Sequence, residues 1–188
     1  MITSTILMAT IAAGGLEPVS SCGINREEAI ALAEDDFDQG EKGWRSLAQP
    51  SCFHDAAELI AAYRAAHPDH GMMLFFHEAQ MRAAAGDYQA AATLFEASRT
   101  GANEWNIDTG WNDYVGASVA FVRRDKSALQ ANRDRLAALP PPPLQPQVAE
   151  EARREPLPAN WPPNLDVIDA LLRCFDKPYA EAMTSCRS

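Results

Sequence analysis

A chain of 188 residues with no long disorder-type tract is large enough for one domain with a sizeable core. Hydrophobic residues make up 47%, but 34 of them are alanine and only 15 of the 188 residues are aromatic, a balance that favours packed helices. A formal charge of −10 and a pI near 4.8 argue against a nucleic-acid surface or an anionic membrane face, and the composition excludes collagen, coiled-coil rods and multi-span membrane proteins.

Residues 1–16 carry no charged side chain, and Ile6 to Ala13 form a short apolar run followed by small residues. That resembles a secretory signal with a cut near Ala13-Gly14-Gly15, although no Lys or Arg stands at its start. Residues 1–21 are therefore expected to be a signal or a disordered segment, ahead of a single helical domain over 22–188. The run is too short to span a bilayer, which takes about 20 apolar residues.

The four cysteines, Cys22, Cys52, Cys174 and Cys186, allow three connectivities. The simplest pairs Cys22 with Cys52 and Cys174 with Cys186. No C-x-x-C spacing exists, so a zinc knuckle or a thioredoxin-type motif is disfavoured. A rival reading takes Val19-Ser20-Ser21-Cys22 as a lipobox, with Cys22 lipidated. Disulfides are preferred, and both readings point to a periplasmic or secreted protein.

Along the chain the first helix starts at Asn25, a capping residue with Glu28 in capping-box position. Ile30, Ala33 and Phe37 share one face, and Gly40 and Gly43 end the helix. Asp35, Asp36 and Asp38 fail the calcium-loop pattern, with Gly40 and Leu47 at ligand positions, and read as a solvated acidic face. Ser51 is expected to cap a second helix with Ala56, Leu59, Ile60, Tyr63 and Ala66 as its apolar stripe. Pro68 and Gly71 end it. Met72 to Ala85, Tyr88 to Ser98, Trp111 to Arg123 and Asp125 to Leu139 follow as helices. Nine prolines then fall in the 24 residues of 140–163, an extended strap with a short helical turn within Val148 to Glu155. Leu165, Ile168, Leu172 and Phe175 rebuild a helical face over 164–188, expected to fold back onto the main body.

An internal repeat sharpens this reading. Gly86, Tyr88, Ala91, Phe95 and Ser98, with Ala79 at a small position, stand at the spacing of a tetratricopeptide (TPR) unit, which residues 72 to about 105 resemble. A shift of 38 residues sets Ala117 on Ala79, Asp125 on Asp87, Leu129 on Ala91 and Leu136 on Ser98, so that 72–139 read as two helical hairpins. The pattern has departures: Glu78 stands for the usual leucine, Arg124 for the turn glycine and Arg133 for a large apolar residue. The whole chain is also similar to a group of bacterial, exported TPR-like proteins without assigned activity. Gly43-Trp44-Arg45, Phe76-His77-Glu78-Ala79-Gln80, Ser98-Arg99, Trp111-Asn112-Asp113-Tyr114-Val115 and Asn164-Leu165-Asp166-Val167 carry that resemblance. It implies an all-α fold of stacked hairpins outside the cytosol, and no reaction.

The resemblance also implies an inner groove presenting Met73, Phe76, Gln80, Ala83, Trp111, Tyr114 and Ser118. Aromatic groups on a concave helical surface suit a protein or peptide partner, and the acidity suits a basic one. The competing reading makes Phe76, Trp111 and Tyr114 ordinary core. Arg99 and Asn112 bracket the polar loop 101–108, as a ligand-facing rim or, preferably, as structural caps.

The catalytic alternative uses His77, Glu78 and Asp113 with the Trp111 loop. No H-E-x-x-H, phosphate loop or G-x-S-x-G is present, so no cofactor or metal is expected, although His67, His70 and His77 could lie near one another. The sequence therefore predicts a non-catalytic binding module, monomeric or weakly oligomeric, with Phe76, His77, Gln80, Arg99, Trp111, Asn112 and Tyr114 as candidate binding residues.

Overall fold

The computed structural model describes residues 22–101, 109–141 and 161–187. The expected signal, the core of the polar loop and most of the Pro-rich strap lie outside these residues. Among the described residues the chain is all-helical, with no strand. The helices are α1 (Arg26–Ile30), α2 (Glu34–Gln39), α3 (Phe53–Ala66), α4 (Met73–Ala84), α5 (Tyr88–Ala97), α6 (Trp111–Val122), α7 (Lys126–Ala137), α8 (Leu165–Arg173) and α9 (Tyr179–Thr184). A 3-10 turn, Trp44–Leu47, joins α2 to the approach to α3.

The first helix is a correction. Asn25 caps it as expected, its side chain accepting from the Glu28 amide, but it ends at Ile30 and the chain restarts at Glu34. The break turns Phe37 fully inward, stacked on Tyr63 at 3.8 Å, while the Tyr63 hydroxyl donates to Leu32 O across the break. A continuous helix would lose that carbonyl to its own ladder. The cap of α3 is the second correction: Cys52, not Ser51, occupies the position and no side chain caps it, because Cys52 is bridged to Cys22.

Two helical hairpins follow. Asp87 caps α5 and Asp125 caps α7, each accepting from the amide three residues on, so both hairpins turn on the same device. α4 packs on α5, α5 on α6 and α6 on α7. Their core gathers Phe76, Ala79, Ala91, Phe95, Ala117, Phe121, Leu129 and Leu136. Alanines at the crossings let backbones approach, and Gly116 goes furthest: a Cβ there would stand 2.3 Å from Asn132 Oδ1 on α7.

The C-terminal helices fold back as expected. Val167, Ile168 and Leu171 join the hairpin core, a somewhat different face from the one the spacing suggested, because Leu165, Leu172 and Phe175 sit at its margin. Trp161 Nε1 donates to Leu139 O at 3.2 Å, drawing together the two ends of the proline-rich segment. A second core, built from Phe37, Trp44, Leu47, Ile60, Tyr63 and Leu74, lies under α1 to α3. Gly43 is essential to it, since an added Cβ would fall 1.9 Å from Phe37 O.

Cys22–Cys52 and Cys174–Cys186 are both disulfide-bonded, spanning 30 and 12 residues, the simplest of the three connectivities. This pairing leaves Cys22 no free thiol to lipidate. No described helix is long and apolar enough to cross a membrane.

Two outcomes follow from this packing. Gly43→Ala should lower stability by roughly 1–3 kcal/mol, because backbone rather than a movable side chain opposes the new methyl; urea unfolding measures it. Reducing both disulfides should cost on the order of 3 kcal/mol each, slightly more for the longer loop. Thermal melts of Cys→Ala pairs, with thiol titration of the denatured oxidised chain giving no free thiol, check that.

Candidate functional site

α4 and α6 bring three rings together because Phe76 sits one turn into α4 and Trp111 and Tyr114 lie on the first turn of α6. Phe76 stands 4.7 Å from Trp111 and 5.1 Å from Tyr114, and the latter two are 5.7 Å apart, all tilted or edge-on as aromatic quadrupoles prefer. Trp111 Nε1 donates to Ser98 O at 2.8 Å, which fixes the indole against the end of α5. All three rings are almost wholly buried and belong to the hairpin core. They are core residues and at the same time walls of a cavity of about 370 Å³, which Met73, His77, Gln80, Thr109, Pro163 and Asn164 also line. Ala83 and Ser118, expected on the same surface, are fully buried instead; Ser118 Oγ donates back to Tyr114 O.

His77 is anchored from behind. Its Nδ1 lies 2.7 Å from Asp38 Oδ1, which also accepts from Trp44 Nε1 at 2.9 Å, while Asp38 Oδ2 accepts from Gln39 at 2.6 Å. Asp38 is therefore not part of a solvated acidic face. It is 8% exposed, whereas Asp35 and Asp36 do face solvent. Burial pushes its carboxyl up, but the hydrogen bond and charge of His77, with the Trp44 and Gln39 bonds, outweigh burial and hold it below the usual aspartate range. No signal in the sequence tied residue 38 to residue 77.

Glu78 is also buried, and two guanidiniums meet it. Arg64 pairs with Oε2 and Arg82 reaches Oε1 at 3.4 Å, with Arg82 continuing to Glu58 at 2.6 Å. Arg64 also lies over the Phe75 ring at 3.6 Å. Asp113 takes Arg135 at 2.7 Å. His77, Glu78 and Asp113 thus answer to separate sets of partners and do not converge as acid and base.

Arg99 and Asn112 lie outside the cavity lining. Arg99 Nη1 donates to Asn112 O at 2.9 Å, and Asn112 both accepts from the Thr100 amide and donates to Thr100 O. They clamp the end of α5 to the start of α6, which is the structural of the two uses expected of them. His67 and His70 bond to the Ile30 and Gly71 carbonyls, and among the described residues no three His, Cys, Asp or Glu side chains gather where a metal could sit.

Behind Gln80 lie two buried phenols. Burial raises both Tyr114 and Tyr179 well above an ordinary tyrosine. Among the described residues Tyr179 Oη makes no hydrogen bond of normal geometry, although the Gln80 amide lies near enough to favour its ionised form slightly.

Set against family models, curated proteins and solved structures, the chain finds no significant match in any of the three.

The Asp38 contact has an acid signature. Its folded value lies below the unfolded one near 3.9, so its contribution is complete above that pH and lost as pH falls through the folded value. Asp38→Asn should lower stability at pH 7 and flatten the decline between about pH 5 and pH 2. Chemical denaturation across that range, wild type against variant, measures both effects.

Proposed function

We propose that the protein is a non-catalytic binding module of TPR-like type, working outside the cytosol, that holds a protein or peptide partner at the Phe76–Trp111–Tyr114 cavity. The observation that carries this reading is the cavity itself. Three rigid aromatic walls and a few polar groups, His77 and Gln80 among them, converge on a volume within the range of ligand pockets. Rings held in a core present area to a ligand at little entropic cost, which is how anchor residues of a partner are captured.

The two successive helical hairpins are compatible with the module reading, and the two disulfides suit an oxidising compartment, periplasmic or secreted. The net charge of −10 favours a basic partner and a salt-sensitive association rate. The catalytic alternative relied on Glu78, which is committed to Arg64 and Arg82, while the carboxylate that does meet His77, Asp38, is itself buried and bonded to Trp44 and Gln39.

A random-peptide display selection against the folded chain tests the proposal. It should enrich a related set of sequences, and Met73→Trp, which adds bulk to the cavity lining without altering the buried rings, should weaken their binding at least tenfold. Enrichment that is indifferent to Met73→Trp, or no enrichment, would overturn it.

A further inference from the structure

A second cavity, of about 450 Å³, shares no lining residue with the aromatic one. Ile24, Ala29 and Leu32 make its apolar part, and Asn25, Glu28, Glu41, Lys42 and Ser46 surround them with polar groups. Ala29 is buried, Ile24 and Leu32 are half-buried, and Glu28, Glu41 and Lys42 are exposed. The walls are fixed in advance of any ligand. Cys22, at one end, is bridged to Cys52, and Asn25 accepts from the Glu28 amide. Leu32 sits in the break between α1 and α2, where the Tyr63 hydroxyl donates to its carbonyl at 3.0 Å.

Charge narrows the occupant. On the later helices Glu96, Asp113, Asp166, Asp169 and Glu181 each meet an Arg or Lys at 3.1 Å or less. Among the described residues Glu27, Glu28, Asp35, Asp36 and Glu41 meet none. Residues 25–46 carry seven acids against three bases, so they hold a net −4 of the chain's −10. A long aliphatic stem ending in a cation satisfies both halves of the groove, since its methylenes cover apolar surface while its head stays among the carboxylates. A guanidinium, a planar fork of five N–H donors, suits two separate carboxylates better than an ammonium does. A second copy of this chain would bring the same acids against these, which opposes self-association here. Residues 1–21, which precede Cys22, contain no Lys or Arg.

We propose that this groove is a docking surface for a basic polypeptide, taking an arginine side chain with its stem on Ile24, Ala29 and Leu32 and its guanidinium between Glu28 and Glu41. The contact is separate from the Phe76–Trp111–Tyr114 cavity and does not rest on that cavity being a partner site. Lys42, the one cation in the lining, opposes an incoming guanidinium and sets the affinity below what the two carboxylates alone would give.

Titrating the full chain with a blocked peptide of alternating arginine and alanine, followed by NMR shifts of the Ala29, Leu32 and Ser46 amides, tests this. The peptide should bind, more weakly as salt rises, and its citrulline counterpart, which keeps the shape without the charge, should bind at least fivefold less tightly. Glu28→Gln with Glu41→Gln should weaken binding at least threefold, as the loss of two partly exposed ion pairs does, whereas Asp35→Asn with Asp36→Asn should change it by less than half as much. Lys42→Gln should tighten it about twofold, a gain that misfolding could not produce. Equal binding of the citrulline peptide would overturn the proposal. An equal loss from the Asp35 and Asp36 pair would overturn it too, by showing diffuse attraction to an acidic surface. Binding lost in Met73→Trp would place the peptide at the aromatic cavity instead. At least tenfold tighter binding on replacing Arg153 and Arg154 with alanine would make the chain its own occupant and overturn the partner.

Discussion

Burial of α4 from two sides at once is the constraint on which the rest of the molecule depends. Leu74 enters the core under α1 to α3, while Phe76, Ala79 and Ala83 enter the core of the hairpins. One helix closing two cores has little room for a polar stripe. His77 and Glu78 are consequently carried inside, and each is tolerable only because a partner of opposite character arrives from another element. Asp38 comes from α2 and Arg64 from α3. Removing either partner would strand a buried polar group, the expensive case in any interior. The same geometry makes the cavity, because a helix fixed on both flanks holds Phe76 and His77 in place whether or not a ligand is present.

The three departures from the repeat pattern have a common physical cause. Glu78 is neutralised by Arg64 and Arg82. Arg133 reaches Asp169 on α8 at 2.8 Å. Arg124 adopts a left-handed backbone, φ 58°, where a glycine would be unstrained. Its guanidinium donates to the Phe175 and Lys177 carbonyls and to the Tyr88 hydroxyl, and lies near the Tyr88 and Phe121 rings. A strain of about 1–2 kcal/mol at one residue is thus set against several contacts to the returning C-terminal segment. Tyr88 adds to this join by accepting from the Tyr179 amide at 3.1 Å. Two of the three departures bind the hairpins to α8 and α9 or the turn between them. Charged residues that depart from the expected spacing here mark docking between elements.

Much of the fold was legible because its signals are local. Apolar spacing and the Gly and Pro breaks placed α3 to α8 to within a few residues. The misreadings share the opposite character. Ile30, Ala33 and Phe37 fit one helical face, yet the chain breaks after Ile30, since the Tyr63 hydroxyl needs Leu32 O and Tyr63 is 31 residues away. Asp38 looked solvated beside Asp35 and Asp36, and only the approach of His77 across 39 residues buries it. Within the candidate site, Phe76, His77, Gln80, Trp111 and Tyr114 do gather at one cavity, whereas Arg99 and Asn112 are spent holding α5 to α6.

Composition and periodicity alone established an all-helical chain with paired amphipathic helices, and the even, paired placement of cysteines made one connectivity the simplest. Those properties depend on neighbours a few residues apart. Which face of α4 meets which core, and which buried charges find partners, depend on groups tens of residues apart. Only the folded chain brings them within hydrogen-bonding distance.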